Sequence, residues 1–114
     1  METTESSLAI SKRLIELQSP VPSIIYPLML RLRAVYYADT LIDGKQHSTK
    51  GFVELVMGHG FSRKQVLELV AVFRQMRDRK PALMASIGYP DLERLYRAVE
   101  ASYYKLRVKW EKLA

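Results

Sequence analysis

Residues 90–113 read PDLERLYRAVEASYYKLRVKWEKL, and this stretch decides the fold class. Leu92, Leu95, Tyr96, Val99, Tyr103, Leu106, Trp110 and Leu113 recur at spacings of three and four. That spacing lines one face of an α-helix and cannot line one face of a strand, whose period is two. Pro90 opens the stretch, and proline is well tolerated in a first helical turn because its missing N–H has no intrahelical partner there. The same grammar holds upstream. Val66, Leu69, Val70 and Phe73 fall at i, i+3, i+4 and i+7, and Ser62-x-x-Gln65 before them reads as a capping box. Lys80-Pro81 ends that helix, and a connector of roughly ten residues separates it from the last one.

Earlier in the chain, a first helix is expected from about Thr4 to Gln18, with Leu8, Leu14, Ile15 and Leu17 on a weak apolar face. Ser19-Pro20-Val21-Pro22-Ser23 stops it, since two prolines deny backbone donors and bias their neighbours to extended geometry. A second helix should run from about Ile24 to Ile42, with Ser23 as N-cap and Pro27 in the first turn. Its stripe is Leu28, Leu32, Val35 and Ile42, and Asp43-Gly44 closes it. A polar connector, Gly44 to Thr49, leads to a short helix over Lys50–Met57, ended by Gly58-His59-Gly60. No stretch alternates long enough to suggest a strand. The expectation is an all-α chain, an up-and-down bundle of four to five helices. It forms one domain over 1–114, with the first helix and proline linker at 1–20 and the bundle core at 24–113.

Composition narrows the chemistry. The chain has 114 residues, no cysteine, two histidines and 18 − 12 = +6 formal charges. Lack of cysteine excludes a disulfide framework, thiolate metal sites and a cysteine nucleophile. The excess of Lys and Arg suits an anionic partner without naming one. The longest apolar run, Ile24–Leu30, contains Pro27 and is closed by Arg31, far short of the ~18 residues of a membrane span. Met1 to Ser7 is acidic and polar, unlike a secretory leader, so a cytoplasmic protein is expected.

Arg77 lies eleven residues after Val66 and so continues the apolar stripe of its helix. Either it snorkels at the helix end and pairs with Asp78, or it points into a cleft and holds phosphate. Arg74, Arg77, Arg79 and Lys80 surround it with positive charge, offset by Asp78 alone. Lys105, Lys109 and Lys112 share one face of the last helix, read as a solvated face. His47 and His59 fall in loops without a carboxylate at motif spacing, and Asp39 with Asp43 makes a poor cation site. No metal or cofactor is expected. No P-loop, GxGxxG or serine elbow is present. Tyr36-Tyr37 and Tyr103-Tyr104 are adjacent pairs on helices, so each must present rings in two directions. Tyr36 and Tyr103 are expected inside, Tyr37 and Tyr104 nearer the surface. Arg33, Tyr36, Tyr37 and Tyr104 are therefore candidates for a dimer interface, where tyrosine and arginine are enriched. Stacking of bases on exposed rings is the competing use.

The order of these features resembles the HEPN family, small helical proteins related to partner subunits of minimal nucleotidyltransferases. The resemblance spans roughly Ile24 to Leu113. Its carriers are Arg33-Ala34-Val35-Tyr36-Tyr37-Ala38, then His47-Ser48-Thr49-Lys50-Gly51-Phe52, the helix ending in Arg77-Asp78, and Tyr89-Pro90-Asp91. It implies a helical bundle, usually dimerised, and a cationic cleft around Arg74, Arg77, Asp78 and Tyr89. Ribonucleases of the family carry an arginine, a polar residue and, shortly after, a histidine. Arg77-Asp78 matches the first two places, but no histidine follows His59. The expectation is a non-catalytic accessory module that binds a nucleotide, RNA or a nucleotidyltransferase. The alternatives are a metal-independent ribonuclease, the toxin of a toxin–antitoxin pair, and a purely structural bundle. Cleavage would need His47 or His59 to arrive from elsewhere in the fold.

Overall fold

Local signals place five helices in the computed structural model: α1 Glu2–Glu16, α2 Val21–Ile42, α3 Thr49–Met57, α4 Arg63–Arg77 and α5 Tyr89–Leu113. The structure describes residues 2–80 and 87–113, with side chains from residue 5 onward. Among these residues every regular element is helical, as expected. Most of the connector before the last helix, together with Pro81, lies outside them.

The caps explain most boundaries. The Ser48 hydroxyl accepts the Gly51 N–H at 3.0 Å and starts α3. Ser62 and Gln65 form the reciprocal capping box of α4 at 3.1 and 3.0 Å. Gly44 takes φ +67 after α2, the left-handed conformation that glycine adopts without penalty. Asp91 Oδ2 accepts the Gly88 N–H at 3.0 Å and secures the first turn of α5, while its Oδ1 accepts from Gln65 Nε2 at 3.4 Å. Gln65 thus links the starts of α4 and α5.

The start of α2 departs from expectation. Pro20 occupies the N-cap and Val21 the first helical position, and Ser23 lies inside the first turn, donating its hydroxyl to the Pro20 carbonyl at 2.6 Å. Pro20 at the cap and Pro22 in the first turn need no donors there, so the two prolines open α2 as well as ending α1. Pro27 consequently sits within the helix and not in its first turn. The carbonyl it leaves without a helical donor belongs to exposed Ser23, where solvent can take the bond.

Leu8 and Ile15 of α1, Ile24, Leu28 and Leu32 of α2, Phe52 and Val56 of α3, Val66 and Leu69 of α4, and Leu92, Leu95 and Val99 of α5 meet in one core. The first helix is therefore part of the bundle core and no appendage to it. Helix α1 runs antiparallel to α2, as an up-and-down bundle requires. Helices α2 and α5, neighbours in space but not in sequence, run in the same direction. Tyr89 donates to the Gln18 and Ser19 carbonyls, both at 2.8 Å, at one end of the pair. At the other end the Lys109 ammonium bonds Asp39 at 2.6 Å and Asp43 at 2.8 Å.

Among the described residues, this far end holds beyond the main core a small cluster of Val35, Tyr103 and Leu106, with Ala38 and Ile42 against it. The α5 stripe consequently runs off the core: Trp110 is 58% and Leu113 66% exposed, although their spacing put them on the buried face. Leu17 is likewise exposed. Lys109 is also corrected. It is a half-buried clamp between α2 and α5 and no member of a solvated face. Its hydrogen bonds to Asp39, then Asp43, raise its pKa, and the Lys109 bond holds the Asp43 carboxyl below the usual carboxylate range. The acidic pair on α2 is thus occupied by a lysine of the same chain. No described helix is long and apolar enough to cross a membrane.

Candidate functional site

A cavity of about 90 Å³ lies where α2, the start of α3 and α4 meet. Its floor is apolar, made by Met29, Phe52, Val70 and Phe73. Its polar lining is Arg33 and Tyr37 from α2, Ser48 and Thr49 at the start of α3, and Arg74 and Arg77 from α4. Among the described residues no carboxylate lines it.

Each arginine is positioned differently. Arg33 Nε donates to the Tyr37 hydroxyl at 3.0 Å, one helical turn on, and its guanidinium lies over the rings of Tyr37 and Phe73 at 5.3 and 5.8 Å. Cation–π contact on two rings holds the group while its terminal nitrogens keep their donors. Arg77 Nε donates to Asp78 at 3.1 Å, and this bond keeps the Asp78 carboxyl below its ordinary range. Arg77 thus pairs with Asp78 through Nε and also lines the cavity. Arg74 has no ion-pair partner among the described residues.

Tyr37 of the lining has an aromatic neighbour. The His47 ring lies 4.1 Å from that of Tyr37, tilted by 35°. His59 is elsewhere, its Nε2 at 3.5 Å from the Ser102 hydroxyl on α5. Tyr36, one position before Tyr37, turns the other way. Its hydroxyl receives the Ser48 N–H at 3.2 Å and so fixes the connector that delivers His47, Ser48 and Thr49 to the cavity.

The expected cleft residues are only partly assembled. Arg74 and Arg77 share the cavity, and Asp78 stands behind Arg77. Tyr89 does not join them: its hydroxyl is held by the Gln18 and Ser19 carbonyls, where it ties α5 to the α1–α2 linker. Arg79 and Lys80 follow the end of α4 and line no part of the cavity. Arg79 takes φ +57, and the Arg79 and Lys80 N–H groups bond back to Met76 and Gln75, so this charge sits in a helix-ending turn. The third cavity arginine is Arg33, which the sequence suggested for an interface. Tyr37 belongs to the cavity as well.

No family model, curated protein or solved structure matches this chain. The site therefore stands on its own geometry. Of the four interface candidates, Arg33 and Tyr37 bond each other, the Tyr36 hydroxyl is bound to Ser48, and only Tyr104, 68% exposed, presents a largely open ring. Arg33-x-x-x-Tyr37 is an i, i+4 pair, and that spacing alone could have joined these two before the fold was known. Nothing in one dimension could have joined them to Arg74 and Arg77.

Proposed function

We propose that the chain is a non-catalytic binding module, HEPN-like in kind, that holds a phosphate-bearing ligand such as a nucleotide or RNA in the Arg33–Arg74–Arg77 cavity. One observation carries this reading: three arginines line a single cavity whose lining, among the described residues, holds no carboxylate. Like charges so placed repel one another, and an anion between them relieves that cost. Guanidinium forks match phosphate oxygens, and two of the three are held at Nε, a bond that uses neither terminal nitrogen. Arg77→Ala should weaken binding of a short RNA by about tenfold or more, the worth of a charge-assisted hydrogen bond. Affinity for both nucleotide and RNA left unchanged by Arg77→Ala would end the proposal. A minimal nucleotidyltransferase as protein partner belongs to the same reading, and co-purification with one encoded beside this chain would test it.

A metal-independent ribonuclease remains the second reading. What favours it is His47, whose ring lies 4.1 Å from that of Tyr37, a residue that lines the same cavity as Arg77. An imidazole is the group that moves protons for attack by a 2′-hydroxyl. RNA cleavage in EDTA that is lost in both His47→Ala and Arg77→Ala would establish it. Intact RNA at high protein concentration would remove it.

A further inference from the structure

We infer that the arginine cavity takes a terminal phosphomonoester, the end phosphate of a nucleotide or oligonucleotide, and not an internal phosphodiester. The inference rests on the cavity being a phosphate site at all, as proposed above.

Size comes first. The cavity holds about 90 Å³. An apolar cavity of about 150 Å³ holds a benzene ring, so a nucleobase with its sugar does not enter here, whereas a phosphoryl group does. Shape comes second. Met29, Phe52, Val70 and Phe73 close the floor. An internal phosphodiester carries an ester arm on either side, so two arms must leave by the mouth of the cavity. A terminal phosphate has one, and the exposed His47 ring lies against Tyr37 of the lining.

Charge comes third. A phosphomonoester carries about −1.5 to −2 at neutral pH and three terminal oxygens, whereas a diester carries a single charge shared by two. Three cationic forks, with no carboxylate among the described lining residues, match the first inventory better than the second. The apolar part of the lining strengthens the preference, since it offers nothing polar to a second ester arm.

The test compares two 2′-O-methyl RNA tetramers, uncleavable by 2′-hydroxyl attack, that differ only in a 5′-phosphate or a 5′-hydroxyl. Binding is measured by calorimetry at one salt concentration, with inorganic phosphate as competitor and with Arg77→Ala and Arg74→Ala beside the parent chain. Both arginines are exposed at the end of α4, so neither substitution opens the core. The phosphorylated tetramer should bind about ten- to a hundredfold tighter, inorganic phosphate should displace it, and either substitution should erase the difference. Equal affinity for the two tetramers, lost in Arg77→Ala, would overturn the monoester inference and leave the cavity as a diester site. Binding of neither tetramer, or binding that both substitutions leave intact, would overturn the phosphate site itself.

Discussion

Gly51 sits at the third position of α3, and a Cβ built there would collide with the Tyr36 hydroxyl. The ring cannot simply swing away, because Phe52 lies 5.7 Å and Tyr37 6.0 Å from its centroid. Gly51→Ala therefore sets two effects against each other. Alanine is favoured over glycine within a helix by about 1 kcal/mol. Overpacking costs about 1–3 kcal/mol, and displacing the tyrosine loses its bond from the Ser48 N–H, about another 1 kcal/mol. The net expectation is a destabilisation of about 1–3 kcal/mol. Tyr36→Phe alone should cost about 1 kcal/mol, the single lost hydrogen bond. In that background the nearest remaining ring carbon is 3.4 Å from the added Cβ, ordinary contact, so the cost of Gly51→Ala should fall to what the Ser48 contact imposes. The Ser48 hydroxyl at 3.1 Å is present in both backgrounds and cancels. Urea unfolding of the four proteins should thus give a coupling energy of about 2 kcal/mol or more. If Gly51→Ala costs the same with and without the hydroxyl, Tyr36 is not what demands glycine at this position.

Further expectations concern charge, polarity and the open end of the molecule. The Ser11 hydroxyl is fully buried with no hydrogen-bond partner among the described residues, so Ser11→Ala should stabilise the fold by about 1 kcal/mol; a lower melting temperature would refute that account. The Lys109 clamp stabilises while Asp43 is ionised and Lys109 protonated. Because the Asp43 pKa is lowered, its share is present above the ordinary carboxylate pKa and lost as pH falls through the lowered value. Because the Lys109 pKa is raised, its share is present below the ordinary lysine pKa and lost as pH rises through the raised one. The melting-temperature deficit of Lys109→Met should therefore be widest between about pH 4 and 10 and shrink on either side; a deficit independent of pH would show that packing, not charge, is lost. Trp110, the sole tryptophan, is 58% exposed, so its fluorescence should be solvent-like and readily quenched by iodide, and emission shielded from quencher would mean that another molecule covers this face.

Helices with strong local signals were legible from their residues alone. The Ser62–Gln65 box, the Gly44 terminus and the stripe from Leu92 to Leu106 each depend on neighbours within one or two turns, and each is found where its pattern puts it. What failed was whatever depended on how far neighbouring helices reach. The α5 stripe continues past Leu106 in sequence, yet among the described residues α1 reaches this end through the Glu5–Arg107 ion pair and not through core packing, and Trp110 and Leu113 are left exposed. Lys109 looked solvated on its own helix, and only the parallel course of α2 brings Asp39 and Asp43 to it. Tyr89 failed for the same reason, since the carbonyls it meets lie seventy positions away.

The cavity shows how a run of charge in sequence differs from a charged site. Arg74, Arg77, Arg79 and Lys80 crowd into seven positions, but a helix turns its residues about 100° apart and α4 stops after Arg77. Only the two arginines three apart face the cavity. The next two follow the chain through its left-handed turn and leave. The missing cation comes from α2, and it is held there by the core itself: Phe73, one residue before Arg74, is buried and carries the Arg33 guanidinium on its ring. Phe73→Leu should therefore weaken phosphate binding through Arg33 while keeping the core largely filled. The charge that matters is set by an aromatic ring, and the net charge of the chain is a poor measure of it.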